Sequence, residues 1–113
     1  MSNDKSRRLL EKIVTHIDHT LEYCNGKTFE SFMDDRMLQE ACIFNLLQIG
    51  ELSKLGLDEG FTALYPHIPW KQMYGMRNRL VHDYEGIRLQ IVWETISTDF
   101  PSLKTSLETI LSE

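Results

Sequence analysis

Residues 75–86 read GMRNRLVHDYEG, and the ten positions between the two glycines hold two arginines, an asparagine, a histidine, an aspartate and a tyrosine. Arginine offers a permanently charged planar fork that fits phosphate oxygens. Histidine is the side chain best placed to exchange protons near neutral pH. Asn78 can fix the imidazole's tautomer or hydrogen-bond a substrate, and Tyr84 can position a phosphate or stack on a base. Together with Arg77 and His82 these are the parts for opening a phosphodiester without a metal. A ribose 2′-hydroxyl attacks, histidine handles a proton, and arginine stabilises the phosphate charge. No second histidine or carboxylate pair stands at ligand spacing here, so metal ligation is not expected. The same residue types near a helix C-terminus also make a solvated, dipole-compatible end. Spacing alone leaves both readings open.

Helical arithmetic limits how these groups can cooperate. Each residue of an ideal helix turns about 100 degrees. Met73, Met76 and Leu80 then form one packed stripe, and Asn78 and His82, four apart, share a neighbouring face. Arg77 and Tyr84, seven apart, nearly eclipse one another. Arg77 and His82 are five apart and stand about 140 degrees from each other. A single straight helix does not aim both at one atom. A kink near His82, or a second copy of the helix from another protomer, is needed.

The elements around this stretch are all helical by pattern. Residues 3–24 carry Leu10, Ile13, Val14, Ile17, Leu21 and Cys24 at the spacing of an amphipathic helix, with Asn25-Gly26 as its stop. KTFESFMDD follows as a connector with one helical turn, Phe29 and Phe32 inward, and Asp34 or Asp35 caps a second long helix reaching about residue 56. Its stripe runs through Leu38, Ala41, Cys42, Asn45, Ile49, Leu52 and Leu55, with Asn45 as a polar interruption. GLDEGFTALYPHIP is a loop with a short helical turn, and Pro69 opens a third helix to about Tyr84, stopped by Gly86. Residues 88–99 form a fourth with Ile91, Val92, Thr95 and Ile96 inward. Pro101 must kink or restart it before a last stripe of Leu103, Leu107, Ile110 and Leu111. With no alternating strand pattern, the expected architecture is an all-α, up-and-down bundle of four to five helices.

Length and composition fit that architecture. The 113 residues, 1–113, suit a single domain, and 42% hydrophobic with 26% charged residues is globular rather than disordered. No apolar run approaches a membrane span and the start, MSNDKSRR, is no secretory signal, so a cytoplasmic protein without membrane association is expected. A net charge of −5 argues against a broad nucleic-acid surface. The charge is uneven, however. Residues 70–90 hold Lys71, Arg77, Arg79 and Arg88 against Asp83 and Glu85, which is +2 locally and −7 elsewhere, so an anionic ligand should approach there.

The remaining candidates read mostly as structure. Cys24 and Cys42 match no metal or redox spacing and are expected as buried reduced thiols. His16 and His19 imitate a metal pair but are expected to face solvent, and His67 lies in a Pro-flanked loop. Trp70 and Trp93 are expected to pack. Glu51 interrupts an apolar face between Leu47 and Leu55, either as a surface charge, as the partner of a nearby arginine, or as a carboxylate that orients Arg77 or His82.

The string Arg77, four residues, His82, one residue, Tyr84 resembles the signature of the HEPN superfamily, and more closely that of the HepT-like ribonuclease toxins. IPWKQMYGMRNRLVHDYEGIRLQIVWETI (68–96) is similar throughout to that family's central segment, and NLLQIGELSKL (45–55), with Gly50 and Glu51, to its second-helix segment. The resemblance spans residues 8–111. It implies a HEPN bundle that forms a homodimer, pairing third and fourth helices so that two motifs meet in one cleft. It implies a metal-independent endoribonuclease needing no cofactor, with Arg77 and His82 catalytic and Asn78 supportive. It further implies the toxin of a type VII toxin–antitoxin pair, whose partner is a small nucleotidyltransferase antitoxin that transfers AMP to Tyr84. The added phosphate would negate a cationic cleft and the adenosine would block it. A non-catalytic alternative is a binding or regulatory subunit of a nucleotidyltransferase, its motif recognising a nucleotide phosphate. An inactive dimer stabilised by the motif is a third.

Overall fold

The computed structural model describes residues 4–113, with Tyr84 by its backbone alone. The first helix, α1, spans Asp4–Tyr23 and buries Leu10, Ile13, Val14 and Ile17, as its spacing requires. Leu21 and Cys24, at the far end of the same stripe, are half-buried. Gly26 closes the helix end with φ of +75°, the left-handed conformation that glycine adopts without steric cost. Thr28 and Ser31 then form a reciprocal capping box, at 3.1 and 2.9 Å, over the single turn α2, Phe29–Met33. Phe32 of that turn is fully buried and its ring packs on Trp93, centroids 5.3 Å apart.

Asp35, rather than Asp34, caps α3 (Arg36–Glu51), accepting the Leu38 N–H at 3.0 Å. The helix continues to residue 56 as expected, but Leu52–Gly56 is wound as a wider π turn. Ser53, buried, takes the inward position there and donates its hydroxyl to the Gly50 carbonyl. Leu55, expected on the apolar stripe, is 65% exposed. It stands about a quarter-turn or more off the line of Ile49 and Ser53. Asn45 is buried with both polar atoms partnered: its amide nitrogen donates to the Ala41 carbonyl at 2.9 Å, and its oxygen accepts from His16 Nδ1 at 2.7 Å. His16 is therefore a half-buried partner of α3 and not a solvent-facing residue, whereas His19 is exposed.

A short helix, α4 (Glu59–Ala63), and a turn lead into α5, Trp70–His82. Pro69 is the cap and not the first helical residue. The Trp70 indole N–H donates to the carbonyls of Thr62 and Tyr65, so it ties the preceding loop to the start of α5. The helix stops two residues earlier than the pattern suggests. Asp83 leaves helical geometry at φ −148°, ψ 49°, and Tyr84–Gly86 forms a separate 3-10 turn. The Asp83 carboxylate folds against Gly86, 2.4 Å from where a Cβ would stand, so a side chain there would require the carboxylate to turn aside. Tyr84 thus does not continue the face of Arg77, and the eclipse expected from an unbroken helix is lost.

The chain then runs helically through α6 (Leu89–Glu94), a second π turn (Thr95–Asp99) and α7 (Phe100–Leu111). Pro101 neither breaks nor restarts it. The Phe100 N–H already reaches five residues back to the Thr95 carbonyl, so the widened turn absorbs the ladder shift that proline's missing donor demands. α3 packs on α1 and on α5, and α7 returns along α1. Arg7 seals the far end by donating its guanidinium to the Ile110 and Leu111 carbonyls, the last of α7. The described residues are helical and turn, with no strand among them.

Two residues distant in sequence meet in this packing. Cys24 and Cys42 are free thiols with sulfurs 3.6 Å apart, one half-buried and one buried. The hydrogen bond from Cys42 lowers the Cys24 thiol below its ordinary value, and the same bond together with burial pushes Cys42 well up. Their separation of 18 positions gave no hint of the pairing.

Candidate functional site

The candidate site begins with a close approach of two helices. A Cβ at Gly50 would lie 2.2 Å from the Arg77 Cβ and 2.9 Å from the Met73 carbonyl oxygen. No residue but glycine fits, and α3 and α5 are correspondingly near at this level. Glu51 follows Gly50, and its Oε1 accepts from Arg77 Nε in an ion pair whose side chains are 37% and 22% exposed. Asn78 Oδ1 accepts from Arg77 Nη1 at 2.9 Å. The Arg77 guanidinium also lies 5.6 Å from the centroid of the Tyr74 ring, within cation–π range. Of the five N–H donors a guanidinium carries, two are engaged by Glu51 and Asn78, which leaves three for a ligand. The fork is oriented and still half open.

Three of the sequence candidates therefore come together: Arg77, Asn78 and Glu51. Glu51 pairs with Arg77, which fits both the partner of a nearby arginine and the carboxylate that orients it. Asn78 turns its oxygen to Arg77 and not to the imidazole. His82 does not join them. It is the last residue of α5, exposed, and no described side chain hydrogen-bonds to it. α5 is one helix from Trp70 to His82. Tyr84, the expected modification position, begins the turn just beyond; its side chain lies outside the described residues.

Two residues near Arg77 escaped the sequence reading. Tyr74 is half-buried, and Lys54 on the π turn places its ammonium 5.9 Å from the Tyr74 ring centroid. The signal was present in the spacing: Tyr74 stands three residues before Arg77 and Lys54 three after Glu51. It could be read only once α3 and α5 were known to touch here.

A separate cavity of about 820 Å³ opens between α5 and the second π turn with α7. Leu46, Ile49, Met73, Met76, Phe100 and Leu103 supply apolar wall, and Arg79 and Asp99 the charged groups. Arg77, Asn78 and His82 do not line it. Gly75 does line it, and a Cβ there would meet nothing within 4 Å. Among the described residues no three His, Cys, Asp or Glu side chains gather as a metal-ligand set.

Comparison with known proteins gives the arrangement a context. The profile of the HepT-like ribonuclease family matches residues 13–110. A chain from Thermococcus cleftensis with the name "Probable ribonuclease HepT" is 39% identical over 99 residues, covering 88% of this chain and 89% of that one. A chain from Caldanaerobacter subterraneus, provisionally named an RNase, is 36% identical over 107 residues, 95% of each chain. One from Methanocaldococcus jannaschii, named in the same provisional way, is 34% identical over 107 residues, 95% of this chain and 88% of that one. No solved structure gives a significant match. The family match takes in the Gly50 contact, the Glu51–Arg77 pair and the helix end at His82 alike, and this all-α chain belongs to the HepT-like ribonucleases of the HEPN superfamily.

Proposed function

We propose that this ribonuclease is the toxin of a type VII toxin–antitoxin pair: a metal-independent endoribonuclease that works as a homodimer through Arg77 and His82. The single observation that carries the reading is the Arg77 fork, fixed by Glu51 and Asn78 with three donors still free. A guanidinium so held is preorganised for the non-bridging oxygens of a phosphodiester, where negative charge grows in the transition state. In the reaction, the 2′-oxygen forms a bond to phosphorus as the bond to the 5′-oxygen breaks. One proton leaves the 2′-hydroxyl and one reaches the departing 5′-oxygen, and His82 exchanges one of them.

The homodimer is supported by two features. His82 and Arg77 point about 140 degrees apart on a helix that stays unbroken between them. In addition, Gly75 and Met76 leave an open apolar cavity beside α5. Gly75 stands seven residues before His82 and so on nearly the same line.

The nuclease reading is tested with an RNA cut at a mapped position. A 2′-deoxy nucleotide on the 5′ side of the cut is expected to abolish cleavage there without abolishing binding. Cleavage that persists at the deoxy position would rule out attack by the 2′-oxygen.

The off-switch proposed for this site is transfer of AMP to Tyr84 by a nucleotidyltransferase antitoxin. Tyr84 is two residues beyond His82, so a phosphate on it adds negative charge beside the residues that bind the substrate phosphate. Intact mass of the chain co-expressed with that enzyme should rise by whole adenylyl units, and Tyr84→Phe should remove the increase. A wild-type mass that stays constant removes this mechanism.

A further inference from the structure

The geometry points to a second phosphate-binding position at Lys54 and Tyr74, adjoining Arg77, that holds the RNA backbone one nucleotide from the scissile phosphate. This deepens the ribonuclease reading and rests on it for the identity of the strand. The Tyr74 ring has two cations within cation–π range, Lys54 Nζ at 5.9 Å and Arg77 Cζ at 5.6 Å from its centroid. The cations differ in their neutralisation. Arg77 is paired with Glu51, while Lys54 is exposed and no described carboxylate lies within ion-pair distance of it.

Two like charges gathered at one ring repel each other, and the ring's negative face offsets only part of that. An anion spanning both relieves it, and consecutive phosphates of one strand are such an anion. The local winding favours the same use. Lys54 sits on the π turn Leu52–Gly56, which packs against α5, and π turns recur where a side chain is re-aimed at a functional site. The chain as a whole is acidic, with net charge −5, so an unpaired ammonium next to the oriented arginine marks the direction in which an RNA backbone leaves Arg77. Tyr74 acts here as a positioning residue, bracing both cations, and Lys54 as the group that touches phosphate.

The test uses the full chain and a labelled single-stranded RNA carrying 2′-O-methyl groups throughout, which it cannot cut by 2′-oxygen attack. Affinity is measured by fluorescence anisotropy across a range of salt. Each phosphate contact to a single strand contributes about 0.7 to the slope of log K against log salt. Lys54→Ala is expected to reduce the slope by about that amount, Lys54→Arg to restore it, and Tyr74→Leu to weaken binding in the same direction. On unmodified RNA, Lys54→Ala should raise KM more than it lowers kcat. An unchanged slope in Lys54→Ala overturns the subsite, and if the wild type still cleaves, the ribonuclease reading survives that result. A Lys54-dependent slope in a wild type that cleaves nothing supports the subsite and removes the nuclease. A wild type that does not bind this RNA overturns the subsite.

Discussion

Replacing His82 by alanine is expected to lower RNA cleavage by roughly 10²- to 10⁴-fold, the usual loss when a general acid–base group is removed. Thermal unfolding should stay where it is, because His82 is exposed and no described side chain hydrogen-bonds to it. Arg77→Ala should be comparably damaging to cleavage, since it removes the donors aimed at the phosphate. Its effect on stability differs in kind. Glu51 loses its ion-pair partner and Asn78 its hydrogen bond, while the Cβ that faces Gly50 stays, so unfolding should shift downward as well. Growth inhibition by the expressed chain should fall with both. If both variants cut RNA as fast as the parent, the catalytic assignment is wrong. Mixing the two variants examines the dimer. A site that takes arginine from one protomer and histidine from the other regains partial activity in the mixture, and a site complete within one protomer stays dead.

Gly50→Ala is expected to be the most damaging small substitution in the scaffold. The added methyl would sit 2.2 Å from the Arg77 Cβ and 2.9 Å from the Met73 carbonyl oxygen. Neither is the far end of a flexible chain, so α3 and α5 must move apart. Overpacking of this kind costs about 1–3 kcal/mol, against which alanine's better helix propensity returns only about 1 kcal/mol. Separation of the helices also draws Glu51 away from Arg77, so activity should fall with stability and not merely in proportion to the unfolded fraction. Thermal unfolding and cleavage of the folded fraction, measured together, check this. Gly75→Ala is the contrasting control for thermal unfolding of the protomer, because its Cβ meets nothing within 4 Å there. A Gly50→Ala protein as stable and active as the parent would refute the close-approach account.

Much of this was legible before any coordinates, and the misses have physical causes. The α1 stripe at Leu10, Ile13, Val14 and Ile17 reads directly, because a helix packed on one side repeats with its own period. The cap, narrowed by sequence to Asp34 or Asp35, and the stop at Gly26 read from side-chain chemistry that depends on local geometry alone. Periodicity carries no information about where the period changes. Both π turns were invisible for that reason, and with them the outward Leu55 and the smooth passage through Pro101. The α5 end was placed at Tyr84 because Gly86 is the obvious breaker, whereas the break comes at Asp83, whose carboxylate packs on that glycine.

Pairings between helices were out of reach in a different way. His16 with Asn45, Cys24 with Cys42 and Glu51 with Arg77 are each set by how α3 is rotated against its neighbours. A single sequence fixes the face of a helix far better than its register against another helix. Arg77, Asn78 and Glu51 were nonetheless singled out, since polar groups at helical spacing on a packed segment need a reason. Tyr74 and Lys54 carry no signal of their own in the sequence, and they meet where the π turn after α3 packs on α5.

The most direct measurement incubates the purified chain and its His82→Ala variant with labelled single-stranded RNA in excess EDTA. The expected result is endonucleolytic cleavage by the wild type that EDTA does not diminish, and none by the variant. No cleavage by the wild type, cleavage that EDTA abolishes, or equal cleavage by both proteins would contradict a metal-independent nuclease built on Arg77 and His82.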